Sequence, residues 1–396
     1  MLEHKLKEWK GLKKPIKIAL FSGYFNDKRQ YGGGIGAVVA NLAYRLSGIG
    51  HEVYVFTAHG QREKIRHDLN LHIIQYPSLM KIRQEFISLD LLVKPLKYNV
   101  DVVHIQGGII ASISGLLYSI IRKKPLVVTV HHTGDVWKDP IKNFIVSLYE
   151  CFILRMILEK ACKIIIPSIY LLSQSKHLTR FKNKVIGIPN GVDINSVTLA
   201  ISKEGVRKKL RLPLDIKIVL FVGALCKRKG VEVLIRAAEI VAKKFPKCLF
   251  ILIGYETEET KYLKQLIKAK NLDKYVKLVG YVSDALKKMY YRAADMFVLP
   301  SLSEGFGLVL LEAGVNGLPL IVSDLPVFKI LIRDGYNGLF SKRGDAEDLA
   351  NKILYLLENE SIAIEMGENS RKLAISYSWE RAAEETLKVY KWCLLR

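Results

Sequence analysis

The sequence predicts an α/β protein with two successive doubly wound parallel sheets facing a central cleft. Short continuous apolar runs alternate with segments of helical periodicity through most of the chain, the pattern of parallel sheets covered on both faces. The alternation is interrupted once, between residues 187 and 211, and then resumes. At 396 residues, half of them hydrophobic, the chain is long enough for two domains of ordinary size.

The first half begins with an apolar run at residues 16–21 and a helical pattern at residues 34–46. Further strands are predicted at residues 53–56, 102–105, 126–130 and 163–166. A turn-rich segment and then a basic stretch, residues 202–211, follow, and the linker is predicted here. The first domain is therefore predicted to span residues 1–200.

The second half repeats the alternation. Predicted strands lie at residues 217–222, 248–253, 276–278, 296–299 and 320–323, and predicted helices at residues 231–244, 260–270, 284–293 and 308–315. These elements predict a second domain of residues 201–378. A terminal helix, about residues 379–396, is predicted to pack back on the first domain.

The chain is strongly basic, with 61 Lys and Arg against 38 Asp and Glu, a net charge of +23. Residues 1–200 hold 28 basic and 14 acidic side chains, a net of +14, so the excess leans toward the first half. Such a charge favours acidic substrates or anionic lipid headgroups, although a solvated Lys-rich surface has the same composition. The sequence has no nucleic-acid-binding motif, and we expect no nucleic-acid partner.

The five cysteines are scattered, without a C-x-x-C pair or a Cys/His ligand spacing, so no disulfide framework and no zinc site is indicated. The first residues lack the apolar core of a signal peptide, so we expect a cytoplasmic protein. Residues 109–121 and 144–158 are apolar, but a membrane span needs about 20 such residues. We expect buried or interfacial helices there; interfacial helices would place the protein peripherally on the cytoplasmic face of the membrane.

Two glutamates flank a predicted helix start in the second half. Glu304 precedes a Gly-Phe-Gly turn, and Glu312 lies eight residues later. A strand that stops at Pro300-Ser301 and re-enters a helix through glycines leaves backbone N–H groups open to phosphate. Carboxylates beside a phosphate site are suited to binding hydroxyl groups. The arrangement therefore predicts a ligand that carries phosphate groups and hydroxyl groups together, such as a nucleotide sugar.

Other candidate residues follow predicted strands, where open α/β sheets bind ligands. Lys227-Arg228-Lys229-Gly230 suits a diphosphate, although a solvated basic turn is the plain alternative in so basic a chain. His131 and His132 follow the strand at residues 126–130 and predict substrate contact. The Pro-Asn-Gly-Val-Asp turn at residues 189–193 is predicted to cap and shape the linker through Asn190 and Asp193.

Gly32-Gly33-Gly34-Ile35-Gly36-Ala37 formally fits a dinucleotide-binding fingerprint. In that fold the glycines follow the first strand directly, but here a loop of residues 22–31 intervenes. The next strand ends at Phe56-Thr57, where a dinucleotide ribose needs an acid. An NAD-dependent oxidoreductase is therefore disfavoured. The motif is either a glycine loop that lets a ligand approach the backbone or a plain loop and helix start.

Taken in order, these pieces resemble the retaining glycosyltransferases of family 4, which have the GT-B architecture of two Rossmann-like domains facing a central cleft. The resemblance runs from about residue 16 to residue 379. The matching segments are Gly33-Gly34-Ile35, Thr129-Val130-His131, Pro189-Asn190-Gly191-Val192-Asp193, Val222-Gly223-Ala224-Leu225, Lys229-Gly230, residues 300–307 with Glu312-Ala313, Asp334-Gly335-Tyr336-Asn337-Gly338 and Tyr377-Ser378-Trp379.

The resemblance implies a role for each matching residue. The catalytic residues would be His131, beside the donor sugar, Glu304, near the sugar and the diphosphate, and Lys229, which would neutralise the diphosphate. Glu312 would bind the ribose hydroxyls, and Gly34 would approach the phosphates across the cleft. The remaining donor-binding residues would be Gly223, Arg228, Gly305, Phe306, Gly307 and Leu308. The family pattern Thr-x-His selects the first of the two histidines.

The chain departs from the family in three places. Ala224 stands where the family often has an arginine, so Arg228 is a candidate to replace that cation. The glycine turn after residue 253 is reduced to Gly254-Tyr255-Glu256, and Lys329-Ile330 stand where an acid is often found. These departures bear on the identity of the donor rather than on the fold.

The resemblance implies sugar transfer from a nucleoside diphosphate sugar to a hydroxyl acceptor, with retention of anomeric configuration and no obligatory metal. The acceptor would be a glycan, a glycolipid or a lipid-linked saccharide, and an anionic membrane surface is a candidate partner. The alternative is a catalytically inactive GT-B protein that binds nucleotide sugars or regulates another protein. The presence of both glutamates and Lys229 argues against that alternative.

Overall fold

The computed structural model describes residues 14–25, 33–58, 63–78, 80–82, 85–132 and 149–396. Several sequence predictions fall outside these ranges: most of the loop before the glycine motif, Gly32 itself, the polar residues that follow His132, and residues 144–148 of a predicted helix.

The first half is built on an eight-stranded sheet and a separate two-stranded ribbon. In chain order its elements are β1 (Lys17–Phe21), α1 (Gly33–Gly48), β2 (Glu52–Ala58), β3 (Lys64–Asp68), β4 (Leu71–Tyr76), β5 (Met80–Ile82), β6 (Glu85–Ile87), α2 (Asp90–Val93), β7 (Val102–Ile105), α3 (Ile109–Ile121), β8 (Leu126–Thr129), α4 (Arg155–Lys160), β9 (Lys163–Ile166), α5 (Leu171–Gln174), α6 (Lys176–Arg180), β10 (Val185–Gly187) and α7 (Ile194–Val197). The strand order of the sheet is β10-β9-β8-β7-β1-β2-β4-β3, and β5 pairs with β6.

The second half is built on a six-stranded sheet. Its elements are α8 (Lys203–Lys209), β11 (Lys217–Val222), α9 (Val231–Lys244), β12 (Cys248–Ile253), α10 (Thr260–Ala269), β13 (Val276–Gly280), α11 (Asp284–Ala293), β14 (Met296–Leu299), α12 (Leu308–Val315), β15 (Leu320–Ser323), β16 (Gly338–Ser341), α13 (Ala346–Glu358), α14 (Glu360–Ile375) and α15 (Trp379–Leu394). The strand order is β13-β12-β11-β14-β15-β16.

Both large sheets have the parallel pairing that the alternating pattern predicts. Every pair in the second sheet is parallel. In the first sheet, β3 alone runs antiparallel, at the edge beside β4. The central strands β11 and β12 are almost wholly buried, as expected for continuous apolar runs between two helical layers. The predicted α/β class with two doubly wound units is confirmed.

The basic stretch at residues 202–211, near which the linker is predicted, contains the first helix of the second unit. Residues 203–209 form α8, which packs against α11. The Arg207 guanidinium, 5% exposed, donates to the Asp295 carboxylate at 2.6 Å and to the Ala293 carbonyl at 2.9 Å. A buried arginine with these partners anchors the helix, because an unpaired buried charge is costly.

The last helix, α15, crosses from the second unit to the first and packs against α1. Trp379 and Tyr390 lie in the same hydrophobic core as residues of β1 and α1. The domain boundary at residue 200 stays a prediction. Within the described residues, no helix combines the length and the apolar character that crossing a membrane requires.

Candidate active site

Two loops meet where the strand order of the second sheet reverses, between β11 and β14. Ligands of open α/β sheets bind at the carboxyl ends of strands beside such a reversal. After β11, a short 3-10 turn, Lys227–Lys229, ends at Gly230 in the left-handed conformation, with φ +69°. A Cβ on Gly230 would lie 1.8 Å from the Pro300 carbonyl oxygen, so glycine is required for the two loops to pack together.

Lys229 and Glu304 form an ion pair between these loops. The Lys229 ammonium contacts the Glu304 carboxylate, and the side chains are only 14% and 10% exposed. Burial opposes ionisation of Glu304, but the Lys229 charge and its hydrogen bond outweigh burial and hold the pKa of the carboxyl below its usual value. The Gly305 N–H also donates to this carboxylate, at 3.3 Å. Glu304 is therefore ionised, and it holds the Lys229 ammonium at the strand reversal.

Arg228 lies beside the same pair. Its guanidinium donates to the Ser303 carbonyl at 3.3 Å, and its own carbonyl accepts from the Leu302 N–H at 2.8 Å. Its charge contributes to the lowered pKa of Glu304. Arg228 thus provides a second cation where the two loops meet. The chain has Ala224 at the position where the family often has an arginine.

Glu312, on α12, is held by a different set of partners. The Tyr291 hydroxyl donates to its carboxylate at 2.9 Å, and the Lys287 ammonium lies 3.2 Å away. Burial would lower the pKa of Lys287, but Glu312 and Asp284 raise it above the usual lysine value. Because a carboxylate offers about four lone-pair sites, Glu312 retains acceptor capacity for a ligand hydroxyl.

The start of α12 is formed by the predicted glycine turn. Gly307 adopts the left-handed conformation, φ +92°, immediately before the helix begins at Leu308. The Phe306 side chain is 4% exposed and belongs to the hydrophobic core, so only its backbone is available to a ligand. The Leu310 N–H already donates to the Gly307 carbonyl at 2.9 Å, so the N–H groups of Leu308 and Val309 are the ones suited to phosphate oxygens. Gly223 follows β11, where a Cβ would lie 3.1 Å from Phe221 Cζ and 3.8 Å from Lys229 Cδ, so this glycine packs between the Phe221 ring and the Lys229 stem.

The first unit meets this helix start across the cleft. A Cβ on Gly305 would lie 1.9 Å from the His131 carbonyl oxygen and 3.0 Å from the Cβ of His132. A Cβ on Gly34 would lie 3.8 Å from Leu308 Cδ1. The structure therefore brings the histidine loop and the glycine helix of the first unit to the same turn that carries Glu304.

A buried polar network holds the side chain of His131. Its Nε2 lies 3.0 Å from the Oε1 of Gln106, which can only accept, so the proton is on Nε2. The Gln106 amide nitrogen lies 3.1 Å from Nε2 of the buried His104. His104 in turn contacts the Thr129 hydroxyl at 2.7 Å and the Tyr390 hydroxyl at 2.5 Å. The network links the cleft to α15 through the interior of the first unit.

The surroundings of His131 predict that its ring stays neutral. Burial and, secondarily, His132 lower its pKa to about 3. We therefore expect no titration of His131 between about pH 5 and 8, the range in which an ordinary histidine changes charge. Nitrogen-15 NMR of the imidazole should show a constant Nε2–H tautomer, leaving Nδ1 as an acceptor. Gln106→Leu should abolish the tautomer preference without restoring titration; a wild-type His131 that titrates in this range would contradict the prediction.

The turn at residues 189–193 lies between β10 and α7. Asp193 caps α7 by accepting from the Ser196 N–H at 3.2 Å, and it also contacts Arg45 of α1 at 3.4 Å. Asn190 is buried. A Cβ on Gly191 would lie 2.2 Å from the Trp379 backbone nitrogen, so the start of α15 passes directly over this turn.

Sequence reasoning missed the residues that hold the candidate groups. Lys287 and Tyr291 lie on α11 at a spacing of four, one helical turn apart, but nothing in the sequence links them to Glu312. Gln106 directly follows β7, the strand beside β8 that ends before His131. The position of Gln106 at the end of a predicted strand is the sequence feature that could have identified it as a candidate site residue.

Two parallel-sheet units facing a cleft, with the candidate site residues at the strand ends, define a protein of the GT-B class. Two family models match consecutive parts of the chain: Glycosyltransferase Family 4 over residues 32–196 and Glycosyl transferases group 1 over residues 202–373. The chain belongs to the family 4 glycosyltransferases, and the resemblance predicted from the sequence is confirmed.

The chain is similar to characterised members along nearly its whole length. It is 26% identical to alpha-monoglucosyldiacylglycerol synthase of Acholeplasma laidlawii, over 90% of this chain and 93% of the relative. The structure of sucrose-phosphate synthase from Thermosynechococcus elongatus superposes with a TM-score of 0.77 at 23% identity, covering 95% and 98% of the two chains. The structure of Anabaena HepE with UDP-glucose superposes with a TM-score of 0.74 at 20% identity, covering 94% and 99%.

Proposed function

We propose that this glycosyltransferase moves a sugar from a nucleoside diphosphate sugar to a hydroxyl acceptor and retains the anomeric configuration. The observation that carries the proposal is the Lys229–Glu304 ion pair at the strand reversal, with His131 of the other unit against Gly305. The complex of HepE with UDP-glucose supports the same class of donor.

The chemistry follows from the charges at the site. As the bond between the sugar and the diphosphate breaks, negative charge grows on the diphosphate, and Lys229, Arg228 and the first N–H groups of α12 stabilise it. An ammonium has three donors, so Lys229 can contact Glu304 and phosphate oxygens together. The acceptor hydroxyl would attack from the face that the diphosphate leaves and pass its proton to a diphosphate oxygen. These groups supply the stabilisation without a required metal ion.

A donor screen tests the proposal. At about 100 times Kd, a bound ligand stabilises the folded state by about 2.7 kcal/mol, so the correct member of a UDP-, GDP- and ADP-sugar panel should raise Tm by a few degrees. Slow hydrolysis of that donor should survive EDTA and should be lost in Glu304→Ala. Hydrolysis that stops in EDTA and returns with Mn²⁺ would contradict the metal-free mechanism. Donor binding without any turnover would favour the alternative of a catalytically inactive GT-B protein. Binding of NAD instead of a nucleotide sugar would favour an NAD-dependent oxidoreductase.

We further propose that the acceptor is presented at an anionic membrane. An exposed patch on α3 and the neighbouring α2 mixes apolar and basic side chains: Leu89, Val93, Leu117, Ile120, Ile121, Arg122 and Lys123. Ile120 and Ile121 are 47% and 56% exposed at the end of α3, directly before the two cations. Apolar side chains beside Lys and Arg suit the interface of an anionic bilayer.

Vesicle co-sedimentation tests the membrane proposal. The protein should pellet with phosphatidylglycerol vesicles at low salt, and binding should weaken at high salt or with phosphatidylcholine alone. The double change Ile120→Ser and Ile121→Ser should weaken binding by at least about tenfold, because two exposed isoleucines lose their apolar burial in the bilayer. Ile364→Ser, at an equally exposed isoleucine on α14, is the matched control. If the fraction of protein that pellets with vesicles depended on neither lipid charge nor salt concentration, the proposal would be wrong.

A further inference from the structure

A cavity of about 720 Å³ opens in the cleft beside Glu304. Loops that follow β14, β15 and β16 form most of its wall, and the end of α5 in the first unit completes it. Its polar lining consists of Gln174, Ser303, Glu304, Asp324, Lys342 and Arg343. Its volume is in the range of small-molecule sites and is much larger than a single phosphate needs.

The strand order separates this cavity from the groups assigned to the donor diphosphate. Lys229 follows β11 on one side of β14, whereas β15 and β16 lie on the other. Neighbouring strands are about 4.8 Å apart, so the end of β16 is roughly 10 Å from the end of β14. A ligand in the cavity would therefore sit beside the donor and share only the loop of Ser303 and Glu304 with it. In a transfer reaction, the second ligand beside the donor is the acceptor.

The charges in the cavity favour an anion. The two carboxylates that line it differ in their partners: Glu304 is neutralised by Lys229, whereas Asp324 accepts a hydrogen bond from the Arg343 backbone N–H at 2.9 Å and keeps its own charge. Lys342 and Arg343 are exposed, and within the described part of the chain neither side chain has a hydrogen bond or an ion pair. With Glu304 neutralised by Lys229, the remaining charged side chains of the lining are two cations, Lys342 and Arg343, and one carboxylate, Asp324, so cations are in excess.

We propose that this cavity binds the acceptor and that Lys342 and Arg343 bind a phosphate group on it. The acceptor would be a polyhydroxyl compound with a phosphomonoester or phosphodiester, its hydroxyls contacting Gln174 and Ser303. An arginine and a lysine side by side are suited to phosphate because both make charge-assisted hydrogen bonds. The inference rests on the proposed function, because it names the second substrate of the same reaction.

Calorimetric titration without donor tests the inference. Glucose 6-phosphate is the soluble probe, and vesicles containing phosphatidylinositol are the lipid probe; glucose and phosphatidylcholine are their uncharged counterparts. We expect at least one anionic probe to bind in preference to its counterpart. The double change Lys342→Gln and Arg343→Gln should weaken that binding by at least about tenfold, since each charge-assisted bond is lost. Preference for the soluble or for the lipid probe identifies the source of the phosphate.

The matched control is Arg371→Gln with Lys372→Gln, an exposed adjacent pair on α14. It should leave probe binding unchanged, and both double variants should bind the donor nucleotide sugar as the wild type does. Wild-type protein that binds neither anionic probe, or equal binding by the Lys342 and Arg343 variant, would overturn the inference. Failure of the donor screen would instead count against the proposed function, because probe binding is measured with no donor present.

Discussion

Replacing Gly305 with alanine is expected to lower kcat for glycosyl transfer by about 100-fold, the cost of displacing reacting groups by about 1 Å. The added Cβ would lie 1.9 Å from the His131 carbonyl oxygen, a distance at which the backbone must move. His131 belongs to the first unit and Gly305 to the second, so the displacement widens the contact across the cleft. Donor binding should fall less than kcat, because Lys229 and Glu312 do not move with it.

Gly48→Ala is the control for this change, because a Cβ on this helical glycine would meet no atom within 4 Å. Steady-state kinetics of the two variants, with circular dichroism to confirm folding, give the comparison. A Gly305→Ala enzyme with wild-type kcat would show that the close contact with His131 is not needed for transfer.

Lys229→Ala is expected to lower kcat by roughly 100- to 1000-fold, the effect of removing one group that stabilises charge developing in the transition state. It also leaves the Glu304 carboxylate buried without its main partner, so the pKa of Glu304 should rise. In the wild type the lowered pKa means that the pair stabilises the fold above the usual carboxyl pKa, and this contribution is lost as the pH falls through the lowered value. Lys229→Ala has no such pair, so its thermal stability should not show this loss at acid pH.

Lys227→Ala, at an exposed lysine of the same 3-10 turn, is the matched control and should retain near wild-type turnover. Turnover numbers at neutral pH and thermal unfolding from about pH 7 down to about pH 2 separate the catalytic effect from the stability effect. If Lys227→Ala and Lys229→Ala lost activity equally, the general positive charge of the turn would matter rather than the ion pair with Glu304.

The elements that carry the site were predictable because their sequences are locally consistent. The strand at residues 296–299, the glycine turn and the helix at residues 308–315 have the bounds predicted from apolar runs and turn residues. β3 could not be predicted in this way, because all of its residues are exposed and it has no apolar face. Pairing with β4 determines its structure, and that contact is not visible in a five-residue pattern.

The partners of the candidate residues were less predictable for a related reason. Glu304 and Lys229 are 75 positions apart, and Tyr390 is 286 positions from His104. A strand-end rule places such residues at the same edge of a sheet but does not say which side chains touch. The basic stretch at residues 202–211 shows the same limit: its composition does not indicate that one of its cations, Arg207, is a buried anchor.

The passage of α15 over the first unit has a consequence for how the protein is made. Trp379, Val389 and Tyr390 complete a core to which β1, α1, β2 and further strands of the first sheet contribute, and Tyr390 also satisfies the buried His104. During synthesis the core of the first unit therefore cannot be completed until α15 has been made, and α15 is made only after all strands of the second sheet. A fragment ending near residue 200 would expose this apolar groove, so we expect it to aggregate unless the helix of residues 379–394 is supplied as a separate peptide.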